Sequence, residues 1–414
     1  MVDVNLIKKL KKIPRKNTIT VEKMKSIIIQ KWYAQKYGDE PETLLFVGPP
    51  GIGKTYSVRE AAEKIARREG RPLITWEQVL DGKEVPENAI VFINLNLSGM
   101  LPEDLQGLLK ENEKDRVVDY VIQRWLKIAS QYDTVLFIDD VGNLKNPEIR
   151  TMLYDLTQFH RLASVHLGTR SLLVMASNDS LSNADVEEFS SALINRISAY
   201  RVRFEKKQWI QYIRRIFNLE KLPDITEEDL NSPIITRNAA LNIIATIVDV
   251  LEAIDGWVTY DPPKEDFSFS PWPSPRSWHK FFRELMTGTV PWDQLYIELS
   301  ANVGERAANI VMAVMDTISE RSPAEYIEKP ELLRELKPEE LAVISRSIAT
   351  YAAENKTPAE KVIPVMRQLY SIYREALVAF IKTLKATNTE YLIQLWPVIM
   401  KDSDLANFIR KIAK

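Results

Sequence analysis

The stretch FVGPPGIGKTY, residues 46–56, follows directly on the apolar run TLLFV and leads into YSVREAAEKIARR, whose apolar spacing is helical. Within it, GPPGIGKT satisfies GxxxxGK[ST] in the setting that gives the pattern meaning, a strand before it and a helix after it. Gly48, Pro49, Pro50, Gly51, Ile52 and Gly53 form a loop whose glycines let backbone N–H groups close around phosphate oxygens. The helix that begins next adds positive potential at its N-terminus. Lys54 is placed to reach β- and γ-phosphates, the Thr55 hydroxyl to ligate a magnesium ion, and Tyr56 completes the set.

A phosphate loop of this kind needs an acidic strand end to hold the ion, and TVLFIDD, residues 134–140, supplies one. Asp139 is the expected magnesium ligand, directly or through water, and Asp140 stands where a water-activating carboxylate would be. SLLVMASND ends a further strand on Asn178, within reach of an attacking water or the γ-phosphate, although an Asn at a strand end commonly just makes a turn. Two arginines complete the constellation: Arg196 in SSALINRISAYRVRF, and Arg276 in WPSPRSWHKFF, which opens a helix. Taken singly each reads as a surface residue, but phosphoryl transfer wants cations around the charge on the γ-phosphate.

Outward from the loop, candidate strands are residues 43–47, 89–95, 134–139, 171–177 and 199–204. Four are nearly continuous apolar runs, as in a parallel sheet covered by helices on both faces, and the fifth alternates, which suits an edge. From Glu205 onward the patterns are helical, interrupted by GWVTYDPPKEDFSFSPWPSPR, residues 256–276, whose prolines exclude a regular helix. Later SP, KP and TP dipeptides are good helix starts. A chain of 414 residues should hold two or three domains, and the expected division is an N-terminal helical segment (1–42), an αβα core (43–205), a helical lid (206–318) and a C-terminal helical region (319–414).

The chain has no cysteine, which closes thiolate, disulfide and Cys-based metal chemistry, and its three histidines lack metal-ligand spacing. A net charge of -2 gives no bulk basic field, so a nucleic-acid contact would need a local patch; the lysines between Lys8 and Lys16 are the one candidate. No signal-peptide core or membrane span is apparent, which makes a cytoplasmic location and no membrane partner the expectation.

In their order along the chain, GPPGIGKT, LFIDD, SLLVMASND, ALINRI and SPRSW resemble Walker A, Walker B, sensor 1, arginine finger and sensor 2 of an AAA+ ATPase. LSGMLPEDLQGLL, TQFHRLASVHLGTRSLLVMASN and SANVGERAANIVMAVMD are similar to the MoxR-like branch, whose members are proposed to act as chaperone-like remodellers of partner proteins. The resemblance implies an α/β fold, a P-loop AAA+ αβα core with a five-stranded parallel sheet, followed by an all-helical lid and a C-terminal helical region. It also implies ATP and Mg²⁺ as cofactors, a homo-oligomeric, hexameric ring with nucleotide between neighbours, and an unidentified protein substrate. Carried over, Lys54 and Thr55 bind phosphate and magnesium, Asp139 binds magnesium, Asn178 is sensor 1 and Arg276 sensor 2 in cis, with Arg237 in ITRNAALN its competitor. Arg196 acts on the neighbour's nucleotide, and residues 159–168 form a hairpin for pore or partner contact, with a plain helix-to-strand loop as the alternative reading. One departure stands out: the family usually has Glu where this chain has Asp140, one methylene shorter, which implies slow hydrolysis. The alternatives are a nucleic-acid motor or loader, a weakly hydrolysing nucleotide switch, and use of GTP instead of ATP.

Overall fold

The structure is a computed structural model that describes residues 17–35, 42–97, 99–112, 117–144, 146–168, 170–178, 194–253 and 271–412. The chain divides into two compact units, Met1–Glu205 and Lys206–Lys414.

The first unit is built on strands β1 (Thr18–Thr20), β2 (Thr43–Val47), β3 (Leu73–Thr75), β4 (Ile90–Asn96), β5 (Leu108–Asn112), β6 (Val117–Val121), β7 (Asp133–Asp139), β8 (Arg161–Leu162), β9 (Val165–His166), β10 (Ser171–Ser177) and β11 (Ser198–Arg203). Its helices are α1 (Val21–Ala34), α2 (Lys54–Glu69), α3 (Trp76–Leu80), α4 (Pro102–Gln106), α5 (Arg124–Gln131) and α6 (Pro147–Phe159). Seven strands make one sheet in the order β1-β11-β2-β10-β7-β4-β3, every pairing parallel. Successive side chains of a strand point to opposite faces, and both faces are covered here, which is why the central strands read as unbroken apolar runs. Leu44, Phe46, Phe137 and Val174 pack under α1 and α2, while Leu45, Leu136, Ile138 and Met175 pack under α5 and α6.

The expected five strands become seven. The additions, β1 and β3, are three residues each and lie at the two margins of the sheet, too short to show a period in the sequence. Strand β11 is not the edge its alternation suggested, because β1 pairs on its outer side. Two small antiparallel hairpins stand apart from the sheet. Strands β5 and β6 form one, and β8 and β9 form the other, within residues 159–168, turning through Ala163 at φ 52°.

His160 ends α6 in the left-handed region (φ 44°) and is buried. Thr43 Oγ1 lies within hydrogen-bond distance of both the Thr157 carbonyl, at 3.1 Å, and His160 Nε2, at 3.2 Å. Burial holds the His160 imidazole neutral, down to about pKa 4 from an ordinary 6.5. The unfolded chain therefore takes up this proton near pH 6.5 and the folded chain only near pH 4. Stability is intact above pH 6.5 and falls by about 3 kcal/mol as the pH drops through that window. Urea titrations at intervals from pH 7 to pH 4 should show a shallower loss for His160→Gln than for the wild type.

The second unit has helices and no strand pairing beyond one isolated bridge, Ile234 to Pro291, among its described residues. Helices Lys206–Ile216, Glu227–Asn231, Arg237–Ala253, Pro275–Leu285, Leu295–Val303 and Glu305–Glu320 are followed by Pro323–Glu328, Pro338–Glu354, Ala359–Ile372, Arg374–Thr387, Thr389–Ile399 and Ser403–Ile412. Pro323 and Pro338 each open a helix, as the later SP and KP dipeptides predict, because a first-turn N–H has no partner to lose, and Pro275 opens one in the same way. Arg214 and Arg346 share the carboxylates of Asp249 and Glu252, which ties Pro338–Glu354 to Arg237–Ala253 within this unit. Most of the aromatic, proline-rich stretch (254–270) and the basic N-terminal cluster (1–16) lie outside the described residues. Among the described residues no helix is long and apolar enough to cross a membrane.

Candidate nucleotide site

In a parallel sheet the C-terminal ends of adjacent strands and the loops that follow them make one crevice. Here β2, β10 and β7 are neighbours, and each ends in residues singled out by the sequence. The loop after β2 is bound to the end of β10 by Gly48 N–H donating to the Ser177 carbonyl at 3.2 Å. A Cβ at Gly48 would stand 2.3 Å from the Val202 carbonyl oxygen, so only glycine lets the loop leave the sheet here. Ile52 is buried in the core beneath α1 and α2 and pins the loop's middle, while Gly53 takes φ 97° at the N-cap of α2. That helix, 16 residues long, has neither a side-chain cap nor an acidic residue in its first turn. Its first N–H groups and its dipole are left for an anion.

Lys54 is buried at 7% exposure, with Nζ donating to the carbonyls of Gly48 (2.6 Å) and Pro49 (2.9 Å) and to Asn178 Oδ1 (3.2 Å). The other end of the Asn178 amide, Nδ2, donates to Asp140 Oδ1 at 3.1 Å. Thr55 Oγ1 donates to Asp139 Oδ2 at 2.5 Å, and the backbone N–H of Asp140 donates to Asp139 Oδ1 at 2.9 Å. Lys54, Thr55, Asp139, Asp140 and Asn178 thus form one hydrogen-bonded cluster drawn from three strand ends.

Tyr56 follows on α2 with its side chain half exposed. Arg196 is exposed just before β11, its guanidinium 5.8 Å from the centre of the Tyr154 ring. Arg276 belongs to the second unit, where it is exposed at the second position of Pro275–Leu285, and Arg237 is exposed at the first position of Arg237–Ala253.

The residues fit a magnesium nucleotide. An uncapped helix N-terminus and a buried lysine answer phosphate charge, and a hydroxyl in contact with a carboxylate is a hard oxygen pair of the kind Mg²⁺ takes. Two features are not apparent in the sequence. Asn143, in the 3₁₀ turn Val141–Asn143, donates from Nδ2 to Asp140 Oδ2 at 2.6 Å. The β5–β6 hairpin exposes Leu108, Leu109, Val117, Val118 and Val121. The paired runs LLKEN and VVDYV around a charged stretch are the only sequence signal for it.

Residues 44–206 match the family described as "ATPase family associated with various cellular activities (AAA)". No curated protein matches the sequence. Among solved structures, the chain is similar to a point mutant of Thermotoga maritima RuvB at 16% identity, over 92% of this chain and 91% of that one, with a TM-score of 0.35. It is also similar to the Aeropyrum pernix ORC2 protein at 13% identity, over 87% and 82%, with a TM-score of 0.38. C. elegans PCH-2 is similar at 14% identity, over 66% and 70%, with a TM-score of 0.28. The phosphate loop, the paired acids at the end of β7 and the parallel sheet that unites them agree with the family match: residues 44–206 carry the AAA+ P-loop fold.

Proposed function

We propose that the chain is a magnesium-dependent ATPase of the MoxR-like kind, which assembles as a ring and remodels a partner protein. The carrying observation is the cluster joining Lys54 to Asp140 through the two ends of the Asn178 amide, with Thr55 and Asp139 beside it. In this reading Thr55 and Asp139 would hold Mg²⁺, which would supply charge neutralisation for the triphosphate. Lys54 binds those oxygens and Asn178 orients the water. Asp140 accepts the water's proton as the new O–P bond forms; the β–γ bridging bond breaks, with its electron pair leaving on ADP. Arg276 serves as sensor 2 from a lid spanning 206–318, and Arg196, exposed ahead of β11, reaches a neighbouring subunit's nucleotide.

An AAA+ ring could instead move nucleic acid. The described observation that favours a protein partner is the β5–β6 hairpin, whose five exposed aliphatic side chains offer apolar area and little positive charge.

Phosphate release per subunit, measured across a wide range of protein concentration, tests the reading. The rate should climb with concentration, and a mixture of Lys54→Ala with Arg196→Ala chains should regain activity that neither has alone. A shared site between neighbours requires both results. A rate independent of concentration, with no rescue in the mixture, removes the ring, and nucleic-acid-stimulated hydrolysis would move the assignment to the motor reading.

A further inference from the structure

We infer that Asn143 is a positioning residue for ATP hydrolysis, which sets the aim of the Asp140 carboxylate; the inference rests on Asp140 being the water-activating group. Asp140 is the residue at which this chain needs extra control. Its backbone is left-handed at φ 59° and ψ 35°, a conformation uncommon outside glycine that Asp and Asn adopt more readily than other residues. Its side chain is also the shorter of the two acids, so a small rotation moves the carboxylate by much of its reach toward a water.

Both of its oxygens are held by amide donors: Oδ1 by Asn178 Nδ2 at 3.1 Å and Oδ2 by Asn143 Nδ2 at 2.6 Å. The two donors are not equivalent. Asn178 is also bonded to Lys54 Nζ, so its position follows whatever the phosphate loop binds. Asn143 comes from the 3₁₀ turn immediately after Asp140, and among the described residues its Nδ2 has Asp140 as its bonded acceptor. It can therefore hold the carboxylate through the whole cycle.

The orientation of the Asn143 amide has one explanation. Its Oδ1 is buried with no partner among the described residues, a state native proteins seldom tolerate. Turning the amide over would set Oδ1 against the Asp140 oxygen and trade an unpaired acceptor for a repulsive contact. An apolar side chain of similar size would avoid the unpaired atom altogether if packing were the only role. What the amide contributes that such a residue cannot is the donor to Asp140.

The test compares wild type, Asn143→Ala, Asn143→Asp and Asp140→Asn, reading kcat and KM for Mg-ATP and melting without nucleotide. Asn143→Ala should lower kcat by about 10- to 100-fold, the cost of a misaimed group, with KM changed by less than about threefold. Asn143→Asp keeps the shape but sets a second carboxylate beside the first. It removes the donor without opening a cavity, so kcat should again fall with KM within about threefold, a split that loss of packing would not produce. In the Asp140→Asn background, Asn143→Ala should cost no further rate, and without nucleotide the two melting shifts should not add.

An Asn143→Ala chain with wild-type kcat, beside a slow Asp140→Asn chain, overturns the inference and leaves the function standing. An Asp140→Asn chain at the wild-type rate overturns the reading beneath it. If Asn143→Ala does not fold, a wild-type kcat in the isosteric Asn143→Asp chain decides against the inference by itself. A wild-type chain that binds Mg-ATP and releases no phosphate overturns both.

Discussion

Lys54→Ala should reduce phosphate release about a thousandfold, to background, and weaken Mg-ATP binding by about 10- to 100-fold. The lysine is the one cation in the described cluster, buried at 7% exposure, and its three acceptors fix Nζ between the loop and Asn178. A point charge held at that position meets phosphate oxygens without rearranging, and in a partly desolvated crevice it is worth several times its value in water. Alanine removes the charge and frees Asn178 from one of its two partners, which also slackens its hold on Asp140. The fold should survive, since the loop stays anchored by the Gly48 N–H on the Ser177 carbonyl and by buried Ile52; a melting temperature within a few degrees of wild type would show this. Phosphate release with the radiolabelled nucleotide and titration with a fluorescent analogue separate the two effects. A variant that hydrolyses within about threefold of wild type would mean that the crevice is not the site of phosphoryl transfer.

What was legible in the sequence follows from how much each feature depends on its immediate neighbours. The central strands could be read because residues such as Leu44 and Leu45 are both buried, on opposite faces, which leaves a continuous apolar signature. The phosphate loop could be read because its chemistry is local, with glycines, lysine and threonine fixed by the turn from β2 into α2. Strands β1 and β3 could not be read, since three residues carry no period and their assignment comes from pairing with β11 and β4. The same limit explains β11: its polar–apolar alternation is real, but whether a strand is an edge is decided by what lies beside it. In this case the neighbour comes from the far end of the same unit, with Thr20 opposite Arg203.

The site divides in the same way. Asp139 and Asp140 announced themselves as acids at a strand end, but the partners of Asp140 did not, because Asn178 arrives from a strand with Thr134 and Ser171 in register, far away in sequence. Asn143 is only three residues from Asp140, yet an Asn in a loop reads as turn chemistry. Its role depends on the left-handed backbone at Asp140, which turns the carboxylate back toward the following turn.

Asp140→Asn should slow hydrolysis by about 10²- to 10⁴-fold, the range a positioned general base supplies, while Mg-ATP affinity stays near wild type. The substitution keeps size and shape, and asparagine is among the residues that best tolerate the left-handed region, so the backbone at φ 59° has no reason to move. The groups assigned to phosphate and magnesium keep their own contacts: Lys54 is held by Gly48, Pro49 and Asn178, and Thr55 and Asp139 by each other and by the Asp140 backbone N–H. What changes is the acceptor set. Asn178 and Asn143 each donate to a different oxygen of Asp140, and an amide offers one oxygen and one N–H₂, so one donor must face another donor. The variant therefore loses the proton acceptor and part of its alignment together, and it should accumulate the nucleotide-bound form. Single-turnover hydrolysis alongside equilibrium binding distinguishes this from a site that never worked: tight binding with slow turnover in the variant and faster turnover in the wild type supports the base. Equal, near-zero rates in both would mean that shortening the acid has left a nucleotide-gated switch, with ATP binding rather than its hydrolysis as the signal.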